Sequence, residues 1–184
     1  MAILFGAARW RDIVKIHPAA ELFPMGSEEE LTTLSNDIAA NGLRQGITLW
    51  TLADLAKVGK PRHAESVLDW SRRKGFDLFL LDGRNRLTAI ERIADPKQRA
   101  DKLEEAFDVT CYDCPPIICW GEVCDPYKRV VSLNLHRRHL TRAQKRALIE
   151  KLLRSNPERS DNATAALTRC DVSTGCPLGP DRGC

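Results

Sequence analysis

No segment of this chain is apolar for long enough to cross a membrane as a helix. A membrane-spanning helix needs roughly 20 consecutive apolar residues, and polar or charged residues interrupt every apolar run well before that length. At the N-terminus, Arg9 and Arg11 follow the apolar residues 1–5, which reverses the basic-then-apolar order of a secretory signal. These absences predict a cytoplasmic protein without a membrane partner.

The sequence also lacks the clustered carboxylates that metal-dependent nucleases use to hold their ions. His136 and His139 come closest to a paired metal motif. Their neighbours are cations that would repel a metal, and no nearby carboxylate completes a ligand set. We therefore predict no metal site at these histidines.

Cysteine is not scarce, but its spacing only partly fits a zinc site. Four of the seven cysteines form a C-x2-C-x4-C-x4-C series, and the paired spacing usual for structural zinc occurs once. Prolines 115 and 116 constrain the loop inside the series. Zinc stays open as an alternative, and free thiols are the favoured prediction for a cytosolic chain. The series is Cys111, Cys114, Cys119 and Cys124.

Positive charge is concentrated in one part of the chain. The formal net charge is only +3, yet in residues 128–154 the lysines and arginines face a single acid, Glu150, so the remainder of the chain is net acidic. A concentrated basic segment favours a polyanionic partner. We predict DNA binding that is largely electrostatic and salt-dependent, with contacts from Arg142, Lys145 and Arg146.

A strand, a turn and a helix follow one another around Asp82. The apolar run 78–81 is typical of a buried strand, and Leu87, Ile90 and Ile93 recur at helical spacing. The turn between them combines a glycine, which permits a sharp bend, with two arginines at the start of the helix, where anions are favoured. This pattern predicts a phosphate site at Gly83, Arg84, Asn85 and Arg86, although solvated arginines in a common turn would give the same pattern.

Other elements follow from the same periodicities. Ser27 and Glu30 form a capping box that opens a helix ending at Asn41, and Thr141 and Gln144 form a second one. We predict strands at 13–16, 47–50 and 107–112, one or two short helices within 51–75, and a helix at 127–135. Asp95 and Pro96 are expected to end the central helix, with a polar stretch after them to residue 105 and a loop from 113 to 126.

Three separated segments, together with an opening segment at 16–24, resemble a known family. The segments 42–47, 82–86 and 134–141, each next to a helix or strand, resemble the motifs of the ParB N-terminal domain of the ParB/sulfiredoxin superfamily. The likeness extends over about residues 13–155. It implies an α/β (α+β) fold: a compact domain with a small mixed sheet at 13–140, a helical segment at 141–168 and an irregular tail at 169–184.

The resemblance also implies a ligand. In partition proteins this module is a CTP-dependent clamp, so CTP or another nucleotide, a homodimer and an associated CTPase or other nucleotide-dependent activity are expected. In the family, an acid precedes the asparagine of the segment that matches 134–141. Here Leu133 stands in its place, which removes a natural magnesium ligand. The further phosphate contacts implied are Asn134, Arg137 and Arg138, and the pocket residues implied are Gly42, Leu43, Arg44, Gln45 and Asp82.

The overall interpretation is a DNA-associated partition or transcription-regulatory protein of a plasmid, phage or chromosome. Residues 160–167 and 171–174 resemble the start of a helix-turn-helix, but residues 175–180 contain glycine and proline that cannot continue as a recognition helix. A small-molecule kinase or a nuclease using the same pocket remains the alternative, and an inactive remnant a third possibility. The sulfiredoxin branch is disfavoured because the turn has no cysteine.

Overall fold

The computed structural model describes residues 9–62, 65–109, 115–121, 123–135 and 141–155, together with Thr164 and Thr168. The chain divides into two compact units, Met1–Pro126 and Tyr127–Cys184. The fold is α/β, as predicted. Within the described ranges, no helix has the length and apolarity that crossing a membrane requires.

The first unit alternates short helices with the strands of one sheet. Its strands are β1 (Lys15–Ile16), β2 (Thr48–Thr51), β3 (Phe79–Asp82) and β4 (Ile117–Trp120). A 3₁₀ helix, Pro18–Leu22, follows β1. Its α-helices are α1 (Trp10–Ile13), α2 (Glu28–Asn41), α3 (Leu55–Val58), α4 (Val67–Lys74), α5 (Arg84–Glu91) and α6 (Pro96–Phe107).

The sheet is small and mixed, with the strand order β1-β3-β2-β4. β1 pairs with β3 in parallel, β3 with β2 antiparallel, and β2 with β4 in parallel. Leu49 lies opposite both Leu80 and Ile118, so these side chains share one face of the sheet. Because β3 lies between two partners, the residues that follow it are held at the middle of the sheet.

The main hydrophobic core covers that face. Leu49 and Leu80 are fully buried, and α5 contributes Leu87 and Ile90, which are also fully buried. The apolar spacing that predicts α5 is therefore the spacing of its core contacts. Further core residues come from α1, α2, α4 and α6: Trp10, Ile38, Val67, Trp70, Leu103 and Phe107.

Helix α2 begins and ends as the sequence predicts. The Ser27 hydroxyl accepts a hydrogen bond from the Glu30 N–H, and the Glu30 carboxylate accepts one from the Ser27 N–H at 2.7 Å. The helix ends at Asn41, where Gly42 follows with φ of +76°.

Two expectations around α6 are wrong. Asp95 and Pro96 do not end the central helix, because α5 already ends at Glu91. They begin α6 instead: the Asp95 carboxylate accepts from the Lys97 N–H, and Pro96 occupies the first helical position, where its missing N–H costs nothing. The strand expected at 107–112 is also absent from its described part: Phe107 ends α6, and Asp108 makes only an isolated bridge to Ser66. Residues 110–114 lie outside the described ranges.

The last strand lies where the sequence predicts a loop. β4 starts directly after the prolines 115 and 116, which are compatible with the beginning of an edge strand. The first strand is shorter than predicted, since Ile13 ends α1 and only Lys15–Ile16 pairs with β3.

The second unit contains the two predicted helices. Helix α7 spans Pro126–Leu135 and α8 spans Arg142–Ser155. The Thr141 hydroxyl accepts from the Gln144 N–H and the Gln144 side chain accepts from the Thr141 N–H, which confirms the second capping box. Leu148, Ile149, Leu152 and Leu153 are buried, as the spacing predicts. Thr164 and Thr168 are helical, and the predicted tail at 169–184 lies outside the described residues.

An ion pair between Glu65 and Arg73 links the residues just before α4 to its last turn. The Arg73 guanidinium donates to both carboxylate oxygens of Glu65, at 2.6 and 2.7 Å, and the Arg62 N–H donates to the same carboxylate at 2.7 Å. These hydrogen bonds, from Arg73 above all, lower the pKa of Glu65 from its ordinary 4.5 to about 2.

This shift predicts a pH-dependent contribution to stability. Because the folded pKa lies below the unfolded one, the contribution is complete above about pH 4.5 and is lost as the pH falls towards 2. Urea unfolding of the wild type and of Glu65→Gln at several pH values measures it. We expect the difference between the two proteins to shrink steadily below pH 4.5; a difference independent of pH would contradict the assignment.

Candidate functional site

Gly83 joins strand β3 to helix α5 in a conformation that other residues rarely adopt. Its φ is +116°, and a Cβ added to it would lie 2.7 Å from Cγ2 of Ile47 and 3.1 Å from Cβ of Ile47. Backbone conformation and close packing therefore both require glycine here. Ile47 is fully buried and immediately precedes β2, so the turn packs against the residue that leads into the neighbouring strand.

The geometry of Gly83 determines how α5 begins. As the residue before the helix, glycine places no side chain over the amides of the first turn, and its carbonyl accepts the first helical bond, from the Leu87 N–H. The first N–H groups of a helix have no acceptor within the helix and carry its positive end charge. Such a terminus favours an anion.

Arg86 ties the turn to the loop that leads into β2. Its Nη2 donates to Oδ2 of Asp82 at 2.7 Å, and its Nη1 donates to Oε1 of Gln45 at 2.9 Å. The Arg86 and Asp82 side chains are only 15% and 18% exposed. The Arg86 Nε is buried and has no acceptor among the described residues. Arg86 is thus engaged by a carboxylate, and an incoming phosphate would compete with Asp82 for it.

Arg84 and Asn85 hold a third segment against the same turn. The Nη2 of Arg84 donates to the carbonyl of Phe23 at 2.6 Å, and Oδ1 of Asn85 accepts from the Gly26 N–H at 3.1 Å. Residues 23–26, 42–47 and 82–86 therefore meet at the end of β3, although they are far apart in the sequence.

The predicted residues of the first unit have different roles at this site. Gln45, Asp82, Gly83, Arg84, Asn85 and Arg86 come together at the turn. Gly42 forms the end of α2, Leu43 is buried in the core, and Arg44 is 72% exposed and pairs with Asp37 at 3.5 Å.

The sequence-based list of site residues does not include Phe23, Gly26 and Ile47. The first and last of these lie in family-like segments and could have been found by following those segments to their ends. Nothing in the sequence distinguishes Gly26, because its role depends on Asn85, which is distant along the chain.

Four of the predicted site residues of the second unit lie on helices α7 and α8. Asn134 is buried, and its side-chain amide donates to the carbonyl of Val130 in its own helix at 3.0 Å. Lys145 and Arg146 are exposed on α8, and Arg142 is its first residue. Arg137 and Arg138, with His136 and His139, lie outside the described residues.

His17 connects the start of the 3₁₀ helix to the sheet. Its backbone N–H donates to the carbonyl of Leu80 at 3.1 Å, and its ring Nδ1 accepts from the Ala19 N–H at 3.1 Å. The imidazole packs edge-on against the ring of Trp50, with 4.9 Å between the ring centroids. Burial lowers the pKa of His17 and the Asp125 carboxylate opposes that effect, so a neutral, accepting ring fits this position at neutral pH.

The cysteines and acids of the described residues form no metal constellation. Cys119 is buried in β4 and Cys124 is partly buried, and both are free thiols. No three His, Cys, Asp or Glu side chains within the described ranges are grouped to hold a metal ion. Cys111 and Cys114 lie outside those ranges.

Comparison of the chain with models of protein families, with curated proteins and with solved structures finds no significant match. The family resemblance accordingly rests on the motif segments alone.

The packing of Gly83 on Ile47 generates a stability prediction. Gly83→Ala combines an unfavourable backbone conformation with overpacking and should lower the free energy of unfolding by about 3 kcal/mol. Gly59→Ala is a matched control, since Gly59 has φ of +69° but no atom within 4 Å of an added Cβ, and it should cost about 1 kcal/mol. Urea unfolding measures both changes. Equal costs would mean that Ile47 does not constrain the turn.

Proposed function

We propose that this chain is a ParB-like module that binds a nucleotide or another phosphate ligand at the 82–86 turn and acts as a DNA-associated partition or regulatory protein. The observation that carries the proposal is the meeting of two family-like segments. Segment 42–47 contacts segment 82–86 through Ile47 against Gly83 and through Gln45 on Arg86. The two segments are far apart in the sequence, and a fold could have kept them apart. A ligand site shared by both segments requires that they be in contact.

The chemistry of the turn suits a phosphate. An α5 N-terminus without a side-chain cap offers backbone N–H groups, and Arg84 adds a guanidinium that is hydrogen-bonded to a neutral carbonyl. Exchange of a carbonyl for a phosphate oxygen strengthens that bond, because both partners are then charged. In this proposal Arg84 is the ligand arginine, whereas Arg86, paired with Asp82, mainly positions the 42–47 loop.

DNA association is supported by the charge of helix α8. Lys145, Arg146 and Lys151 are exposed, and the only acid of the helix, Glu150, pairs with Arg154 at 2.6 Å. A helix with this balance attracts a phosphate backbone without reading its sequence. The proposal therefore assigns non-specific DNA binding to α8 and nucleotide binding to the turn.

Calorimetric titration with CTP, ATP, ADP and GTP tests the nucleotide site, with and without magnesium. We expect one nucleotide to bind the wild type, and Arg84→Ala to weaken that binding at least tenfold, the loss typical of one charge-assisted hydrogen bond. Arg72→Ala, which removes an exposed arginine paired with Asp69 on α4, is the matched control and should bind normally.

Three outcomes of this titration are distinguishable. Selective binding of CTP favours the partition-type module, and turnover of ATP or ADP with a hydroxyl acceptor would favour a kinase. If no nucleotide binds the folded wild type, the proposed site is wrong.

The DNA contact predicts a change in salt dependence. Replacing Lys145 and Arg146 together by alanine should weaken DNA binding and reduce the slope of log K against log salt by about 2, one for each lost phosphate contact. Lys57→Ala, an exposed lysine on α3, should leave the slope unchanged. Fluorescence anisotropy with duplexes of two unrelated sequences provides the measurement. An unchanged slope in the double variant would exclude α8 as the DNA contact.

A further inference from the structure

The first half of helix α8 has no buried side. Residues 143–147 are all exposed, and five consecutive helical residues cover more than one full turn, so every side of this stretch is accessible. The second half of the helix differs, because its apolar residues Leu148, Ile149, Leu152 and Leu153 are buried. Residues 141–147, which we call the exposed segment, therefore extend beyond the packed part of α8.

Local hydrogen bonds hold the exposed segment in its helical form. Thr141 and Gln144 form a capping box, and the Lys145 N–H donates to the carbonyl of Thr141 at 2.9 Å. A helix without a buried side gains nothing from a core, so these contacts matter here. The capping box also engages the N–H groups of Thr141 and Gln144. The exposed segment thus offers its side chains to a partner.

The charge of the exposed segment favours a polyanion. It contains three cations and no acid, and Glu150, the only acid of α8, lies beyond it and pairs with Arg154 at 2.6 Å. Lys145 and Arg146 are exposed and lie about 100° apart around the helix axis. Cations that point in different directions suit a groove with negative charge on both walls better than a flat anionic surface.

The dimensions of the exposed segment match the major groove of duplex DNA. Seven residues extend about 10 Å along a helix axis, at about 1.5 Å per residue. The major groove is about 12 Å wide and about 8.5 Å deep, and it admits an α-helix. A helix inside the groove must be accessible on both flanks, whereas a helix resting on the phosphate backbone needs only one exposed side. The exposed segment meets the stricter requirement.

Two small side chains make one flank of the exposed segment narrow. Ala143 and Ala147 are one turn apart on the same side of α8, roughly opposite Lys145, and both are exposed. Nothing larger than a methyl group extends from the helix on that side. A DNA strand can therefore approach the helix backbone closely there while Lys145 reaches towards the other strand.

From this geometry we propose that the exposed segment of α8 enters the major groove of duplex DNA. Lys145 and Arg146 contact phosphates along the groove walls, and Ala143 and Ala147 face the strand opposite Lys145. The inference rests on the proposed DNA association of α8 and adds how the contact is made. Duplex RNA does not fit this contact, because its major groove is narrow and deep.

Ala147→Leu tests the inference on the full chain. The substitution adds bulk at an exposed position without changing the charge, and leucine is a good helix former. We expect DNA binding to weaken about tenfold through overpacking in the groove, with the slope of log K against log salt unchanged. Fluorescence anisotropy measures both quantities, and circular dichroism checks the helix content. Ser155→Leu, equally neutral and at the exposed end of α8, is the matched control and should bind normally.

A modified duplex tests the groove from the side of the DNA. Cytosines that carry glucose on a 5-hydroxymethyl group fill the major groove and leave the phosphate charge unchanged. We expect this duplex to bind the wild type about tenfold more weakly than the same sequence without glucose. Duplex RNA of that sequence should also bind more weakly than the DNA.

Failure of the inference can be told apart from failure of the proposed DNA association. If the wild type binds no DNA, both are wrong. If the wild type binds DNA, but Ala147→Leu and the glucosylated duplex bind as tightly as their unmodified counterparts, α8 contacts the backbone from outside the groove. Equal affinity for duplex RNA and duplex DNA would also contradict entry into the major groove.

Discussion

The contact between Gly83 and Ile47 is the constraint on which the rest of the site depends. A strand in the middle of the sheet ends there and a helix begins, and the backbone can make that bend only without a side chain. The same bend brings the entry of β2 to within van der Waals distance of the turn. Because Ile47 is fully buried and Gly83 is buried against it, the turn is fixed to the core at Gly83, while Asp82 and residues 84–86 stay partly exposed.

Three consecutive residues after that bend divide their contacts between two other segments. Arg84 and Asn85 contact residues 23–26, and Arg86 contacts Asp82 and Gln45. These hydrogen bonds pair polar groups that are partly buried. An anion that binds Arg84 or Arg86 through the atoms engaged in these bonds must exchange with an existing acceptor. A carbonyl is the easier one to displace, which is why Arg84 rather than Arg86 is assigned to the ligand.

Local signals in the sequence predict much of this fold. The capping boxes at Ser27 and Thr141 and the apolar spacing of α5 depend on residues close together in the chain, and all were confirmed. The errors fall where one signal has two meanings. Asp95-Pro96 is as typical of a helix end as of a helix start, and here it starts α6, since α5 has already ended at Glu91. The prolines before β4 are as typical of a loop as of an edge strand.

The contacts within the candidate site are a different matter. The glycine turn and its arginines were predicted from the pentapeptide 82–86, but Phe23 and Gly26 acquire their roles only through distant partners. Local periodicity carries no information about such pairs. Arg86 illustrates this point. The sequence indicates a cation near a turn, but it does not indicate that the guanidinium donates hydrogen bonds to Asp82 and Gln45.

The most direct test of an anion site at the turn is a nuclear magnetic resonance titration of the backbone amides with CTP. If the N-terminus of α5 receives the phosphates, the N–H groups of residues 84–86 should show the largest shifts, with saturation at a single affinity. Shifts confined to other parts of the chain, or no shifts at saturating CTP, would contradict the account.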